Sequence, residues 1–325
     1  MGETTIDSFA MWRRSLRVLT PLAGLLVVVL IFLAIPPHAG VTVDQARTVA
    51  VHAVIVGIAA LGATVVIANA GLDLSVGSVI ALSGVVAALL LRAEHGLWLA
   101  LPAAVVVGIA CGAYNGGLVA GLRLPAFIAT LGTLGFYRGV AKWISESRTV
   151  SAPTGGLEHL VSPRPPQAWM LVAPAVWILL SLAAATAFLL HRTVLGRHLL
   201  ASGGNEAAAR RCGIPVGRVR FAAYTIAGGL AGVAGVLQFA RLRSGDPTVA
   251  IGLELDVIAA VVIGGASLSG GSASVLGTIV GAVMIAYLRN RCAVLGWPNY
   301  VQEMIVGHIV IIAVAFDLWR RRRAT

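Results

Sequence analysis

Residues Leu195–Phe221, LGRHLLASGGNEAAARRCGIPVGRVRF, form the longest strongly cationic segment lying between two long apolar runs. Arg197, Arg210, Arg211, Arg218 and Arg220 stand there against a single carboxylate, Glu206. A basic segment between membrane spans stays on the cytoplasmic side, so this stretch sets the orientation of the whole chain. Inside it, Asn205-Glu206-Ala207-Ala208-Ala209-Arg210-Arg211 favours helix, with Gly204 or Asn205 as the cap and Gly213 followed by Pro215 as the stop. The segment predicts a short surface helix within a connector at 191–220. Two roles are open to it: an ordinary positive-inside loop, or a rigid element that passes a push from a soluble partner into the bilayer.

Composition places the segment in an all-α polytopic membrane protein. Hydrophobic residues make up 58% of the chain and charged residues 11%, mean hydropathy is +0.91, and apolar runs of the roughly 17–25 residues that a bilayer demands recur throughout. The net charge of +11 resides in arginines at span ends, and no basic stripe with interleaved aromatics accompanies it, which argues against nucleic acid. Ten spans are expected. They cover 18–35, 48–69, a third ending at Leu91, 97–122, a fifth opened by Leu124-Pro125-Ala126 and ending near Ile144, 168–190, 221–240, an eighth ending at Ile263, 273–288 and a last ending near Asp317. An even number puts both termini on one side, and the cytoplasmic assignment gives that side Arg13, Arg14, Arg17, Arg123, the arginines of the connector and Arg320 to Arg323. The chain is expected to form a single transmembrane domain, 1–325. Cys111, Cys212 and Cys292 then fall in a span, inside and outside respectively, so no disulfide framework links them.

Two polar breaks interrupt the spans with a shared pattern: Gly71-x-x-Leu74-Ser75-x-Gly77-Ser78 and Gly265-x-x-Leu268-Ser269-x-Gly271-Ser272. Each joins an inward-running to an outward-running helix and suggests one duplicated element, the competing reading being that Gly and Ser are common in tight turns; such non-helical backbone is tolerated only beside protein or water, and often borders a transport path. Small residues spaced by four, at Gly108/Gly112/Gly116, Gly228/Gly232 and Gly277/Gly281, predict close helix pairs. Asn115, Thr130, Thr133, Gln238 and His308 are polar within spans and are expected to face the bundle interior. Thr130, Thr133 and Tyr137 share one face of the fifth span; with Asp73 and Asn115 they are the candidates to line a solute path, bonding to neighbouring helices being their competing role.

Neither a metal-ligand cluster nor a nucleophile–base arrangement occurs, and no cofactor motif, so the chain carries no catalytic or metal site of its own. A P-loop is excluded as well: it needs Gly-Lys-Ser/Thr, and the only lysine, Lys142, lies between Ala141 and Trp143. Energy for transport must come from an ion gradient or from a separate ATPase. An ion-coupled carrier and an intramembrane enzyme are the competing classes. The first lacks buried mid-span carboxylates for a proton relay, and the second lacks any nucleophile or base constellation.

These residues resemble the permease subunit of bacterial ABC sugar importers of the ribose type, a group that also serves xylose, arabinose, rhamnose, galactose and autoinducer-2. The likeness runs through Gly71-Leu72-Asp73-Leu74-Ser75-Val76-Gly77-Ser78, Asn115-Gly116, Leu124-Pro125-Ala126-Phe127-Ile128-Ala129-Thr130-Leu131-Gly132-Thr133, Arg138-Gly139, Gly203-Gly204-Asn205-Glu206-Ala207-Ala208, Gly213-Ile214, and Glu254-Leu255-Asp256 through Gly264-Gly265 to Leu268-Ser269-Gly270-Gly271. It implies a bacterial inner-membrane permease paired with a second permease subunit, a cytoplasmic ATP-binding subunit and a periplasmic sugar-binding protein. It also implies that Asn205, Glu206, Ala207, Ala208, Arg210 and Gly213 form the helix that couples to the ATPase. Four residues separate Ala208 from Gly213, where the wider importer pattern has three.

Overall fold

The fold was described from a computed structural model, in which residues 22–32, 34, 42–164, 167 and 170–322 are described. Twelve α-helices account for most of them: α1 (Leu22–Phe32), α2 (Val43–Ala68), α3 (Val76–Arg92), α4 (Leu97–Gly116, continued by a π turn at Gly117–Gly121), α5 (Ala126–Ile144), α6 (Pro174–Arg192), α7 (Val194–Gly204), α8 (Glu206–Arg211), α9 (Val216–Leu242), α10 (Leu253–Ile263), α11 (Val275–Val294) and α12 (Asn299–Arg322). The basic residues expected before α1, and Arg323, lie outside the described residues. Five helices, among the described residues, are long and apolar enough to cross a membrane.

α2 is the axis. It is apolar on all sides, and a helix with no polar stripe can satisfy itself only by being surrounded; every residue from Ala53 to Ala68 is buried. α9, α11, α10 and α6 pack around it. A buried hydroxyl pair, Thr64 Oγ1 and Thr278 Oγ1 at 2.8 Å, pins α2 to α11. The expected small-residue stripes form the tightest contacts. Gly108 and Gly112 of α4 lie against Gly228 and Gly232 of α9, where a Cβ on Gly112 would stand 2.2 Å from the Tyr224 carbonyl; Gly281 of α11 abuts Ala260 of α10.

The ten expected spans each acquire a helix, with corrections at several ends. The sixth begins at Pro174 rather than at 168, because Pro supplies a preset first-turn residue there. The seventh begins at Val216. The ninth runs on to Val294, so Arg289 and Arg291 belong to helix rather than to an outside turn. His308 is exposed on α12 instead of facing inward, its Nδ1 beside the Met304 carbonyl at 2.8 Å.

The largest departure lies before α10. With 11 residues, α10 is only about 16 Å long, half of a hydrocarbon core of about 30 Å. The expected outside segment 241–254 makes up the rest. β2 (Ser244–Gly245) pairs antiparallel with β1 (Val150–Ser151), stitching two outer loops together. The chain then turns down along α3 until Ala250 and Glu254 sit against Gly77. Arg138 of α5 holds this descent by donating to the carbonyls of Pro247 (2.8 Å) and Val249 (2.6 Å). α3 and α10 therefore begin side by side and run in opposite directions.

Candidate coupling and translocation site

Both polar breaks end their helices in the same way. After α2, Ala70 N–H donates to the Ile67 carbonyl and Gly71 N–H to that of Val66; after α10, Gly265 N–H donates to Val262 and Ala266 N–H to Val261. This is the paired-bond helix stop that needs a left-handed residue, supplied by Gly265 (φ 87) in one case and by Ala70 (φ 55) in the other. The structural equivalence is thus offset by one residue from the shared sequence pattern. Beyond the stop the breaks diverge: α3 starts after Ser75, whereas α11 waits until Ser274 provides its cap. The two breaks touch, with Gly271 N–H donating to the Ala68 carbonyl at 3.0 Å.

The basic connector forms two helices where one was expected. α7 is capped by Thr193, whose Oγ1 accepts from Gly196 N–H, and it buries Leu199, Ser202 and Gly203. Its C-terminal end is wedged between the breaks: a Cβ on Gly203 would lie 2.0 Å from the Ala68 carbonyl and 2.8 Å from Gly271 N. α8 follows with Asn205 as cap, Oδ1 accepting from Ala208 N–H at 2.9 Å. Ala209 is buried, while Ala207, Ala208 and Gly213 are exposed. Ala207 and Ala208 thus share the outer face of α8 with Arg210 and Arg211, and Gly213 lies just past its end.

A closed ring of bonds fixes that corner. Glu206 accepts from Arg210 (2.7 Å) on its own helix and from Arg220 (2.8 Å) on α9. Arg220 also donates to Asn69 Oδ1 at the end of α2 (3.3 Å), and Asn69 Nδ2 donates back to Ser202 of α7. The two guanidiniums, Arg210 first, hold the Glu206 carboxyl below its ordinary range. Asn69 and Ser202 were not singled out from sequence, and Arg220 only as one of the connector's arginines; the available signal was an amide at an apolar helix end facing a surplus of arginine.

A second network lies inside the bundle, at the first break. Ser75 Oγ donates to Asp73 (2.7 Å), Asn115 Nδ2 to Ser75 Oγ (2.8 Å), and the single proton of Tyr137 OH is shared between Asn115 Oδ1 (2.9 Å) and the Cys111 carbonyl (2.8 Å). Thr130 donates to the Ala126 and Leu72 carbonyls, and Tyr224 OH reaches Leu72 as well. Four of the five expected path residues, Asp73, Asn115, Thr130 and Tyr137, thereby converge on break 1; Thr133 bonds within α5, to the Thr130 carbonyl. Their hydroxyls point into the fold. The opposite side of α5 carries Gly132, Gly135 and Gly139, at each of which a Cβ would meet open space. Among the described residues no three His, Cys, Asp or Glu side chains gather to hold a metal.

Discontinuous helices around buried polar groups, with an exposed helix wired to them, are an arrangement that transport proteins use. A family model described as the permease component of branched-chain amino acid transport systems matches residues 45–314. The chain belongs to this permease family. The ribose import permease protein RbsC of Escherichia coli K12 is 38% identical to this permease over 302 residues, 91% of this chain and 92% of that protein. The L-arabinose ABC transporter permease protein AraH of Azospirillum brasilense is 35% identical over 277 residues, 83% and 78% of the two chains. The autoinducer 2 import system permease protein LsrC of Salmonella paratyphi B is 35% identical over 258 residues, 79% and 73%. No solved structure matches it. This permease is a multi-pass protein of the inner membrane.

Proposed function

We propose that this permease passes a monosaccharide or similar small polar solute inward, driven by a separate cytoplasmic ATP-binding subunit and supplied by a periplasmic sugar-binding protein. A second permease subunit completes the path, and connector 191–220 is the coupling part of one domain, 1–325. The relatives named for ribose, arabinose and autoinducer-2 import support the solute class. The observation that carries the coupling role is α8. It offers Ala207 and Ala208 outward, with Gly213 exposed just past its end, while its only carboxylate is tied to α9 and, through Arg220, to α2. A partner that pushes on this helix moves the ends of both neighbouring helices with it.

Asp73, Asn115, Thr130, Thr133 and Tyr137 enter the same proposal as residues that hold the wall of the path. They keep break 1 and α5 in place and leave the open glycine face of α5 toward the solute. An uncharged solute needs no fixed counter-charge on that face. The test is uptake of a panel of pentoses and hexoses into proteoliposomes that hold the permease with its ATP-binding subunit and binding protein. Uptake that requires ATP and survives an uncoupler is the expected result. ATP-independent uptake that collapses with the uncoupler would establish the ion-coupled alternative instead.

A further inference from the structure

Beside break 1, at the end of the bundle that carries the basic connector, a cavity of about 310 Å³ opens between α8, the start of α9 and the α4–α5 junction. That volume is at the lower end of the ~300–1,000 Å³ typical of small-ligand sites. Arg123, Arg210 and Arg220 line it against one carboxylate, Glu206, so its wall is net cationic even after Glu206 has taken one edge of each of its two partners. Arg123 makes no hydrogen bond or ion pair among the described residues, and its exposed side chain stands at the rim. Pro125 and Ala126 complete the wall, and α5 starts there without a side-chain cap, leaving its first N–H groups to an outside acceptor.

What adjoins the rim narrows the ligand. Leu122, beside Arg123 in the chain, and Phe127 and Ile128, in the first turn of α5, are 68%, 53% and 61% exposed. A cationic cleft directly above an exposed apolar strip is the pattern of a headgroup site at the cytoplasmic leaflet, where anionic lipids concentrate. We propose that this cavity binds the phosphate of an anionic phospholipid, with its acyl chains lying along Leu122, Phe127 and Ile128. The phosphate sits between Arg123 and the free edges of Arg210 and Arg220, so the lipid bridges the α4–α5 junction to the coupling corner. The site does not depend on which solute is carried or on what energises transport.

Titration of the purified full-length permease with phosphatidylglycerol or phosphatidylcholine, read by native mass spectrometry as the affinity for the first bound lipid, tests this. Arg123→Gln should weaken phosphatidylglycerol about fivefold and leave phosphatidylcholine unchanged, whereas Arg192→Gln, at an exposed arginine outside the cavity, should change neither. Equal effects of the two substitutions would overturn the site in favour of general surface charge. Equal melting temperatures in phosphatidylcholine alone would show that Arg123→Gln folds; if it does not, the phosphatidylglycerol-over-phosphatidylcholine preference is read with Arg123→Lys, which should retain most of it, and its loss there would also overturn the proposal. Inorganic phosphate and glycerol 3-phosphate serve as competitors. Neither should displace phosphatidylglycerol, and displacement by either would overturn the lipid as the source of the phosphate.

Discussion

Glu206 joins two helices through one carboxylate, and its partners decide how it responds to pH. Its folded pKa is depressed, chiefly by Arg210 and then by Arg220. The bonds that depend on its charge are therefore fully present above the ordinary carboxylate range, near 4.3, and are lost only as pH falls through the lower folded value. Coupling through this residue should be flat from about pH 8 to pH 5.5. Glu206→Gln removes both pairs; exposed pairs are worth ~0–1 kcal/mol, so the melting temperature should hardly move while solute transported per ATP falls. An unchanged ratio would release Glu206 from coupling. For the inner network the expectation is reversed. Thr130→Ala and Thr133→Ala should each cost about 1 kcal/mol of stability and leave the KM for uptake unchanged, because both hydroxyls face carbonyls inside the fold. A raised KM at intact stability would instead put them in contact with the solute. At this scale sequence shows which polar residues interrupt apolar spans, and Asn115, Thr130 and Gln238 are indeed buried. It does not show whether a hydroxyl points toward a neighbour or toward a lumen, because both satisfy the same spacing. For His308 it misleads, since a face outward in one subunit is polar without being interior.

Among elements, α8 was legible because cap, small residues and stop occur in order, whereas α7 was not. Gly203-Gly204 reads locally as a breaker, yet the two glycines end a helix, and Gly203 is glycine because Ala68 and Gly271 approach where a Cβ would stand. Gly203→Ala should accordingly lower stability by about 1–3 kcal/mol through overpacking, measured by thermal unfolding of the purified permease. Gly213, with φ 79 and nothing near its missing Cβ, should cost only the backbone strain, about 1 kcal/mol. Ala208→Trp separates docking from folding. The side chain projects from an exposed position, so melting should stay within about half a kcal/mol, while co-purification of the ATP-binding subunit drops. Equal co-purification would make α8 a plain connector. The repeated Gly/Ser pattern of the two breaks was legible as kinship, but its register was not, because the left-handed position is set by where each helix ends and not by where the glycines align.

For the whole molecule, charge distribution and run length gave ten of the twelve described helices and their order. They could not give the half-length of α10, since a descending run of turns and a surface loop have the same composition until Arg138, about 110 residues away, is seen to hold it. The cysteines test the arrangement. Cys212 is exposed, whereas Cys111 and Cys292 are buried, which corrects the expectation that Cys292 is open to the outside. A membrane-impermeant maleimide should label Cys212 in inverted vesicles and label nothing in right-side-out ones; labelling of Cys212 from outside would invert the topology. The ring through Glu206, Arg220, Asn69 and Ser202 has one more consequence, for the way amide protons exchange with solvent. A connector free to fray would exchange its amides within moments, whatever the helices beside it did. Tied in this way to α2 and α9, this one opens only once those bonds break, so deuterium should enter α7 and α8 more slowly than an untied loop, and Arg220→Ala should set the connector's clock apart from that of the bundle.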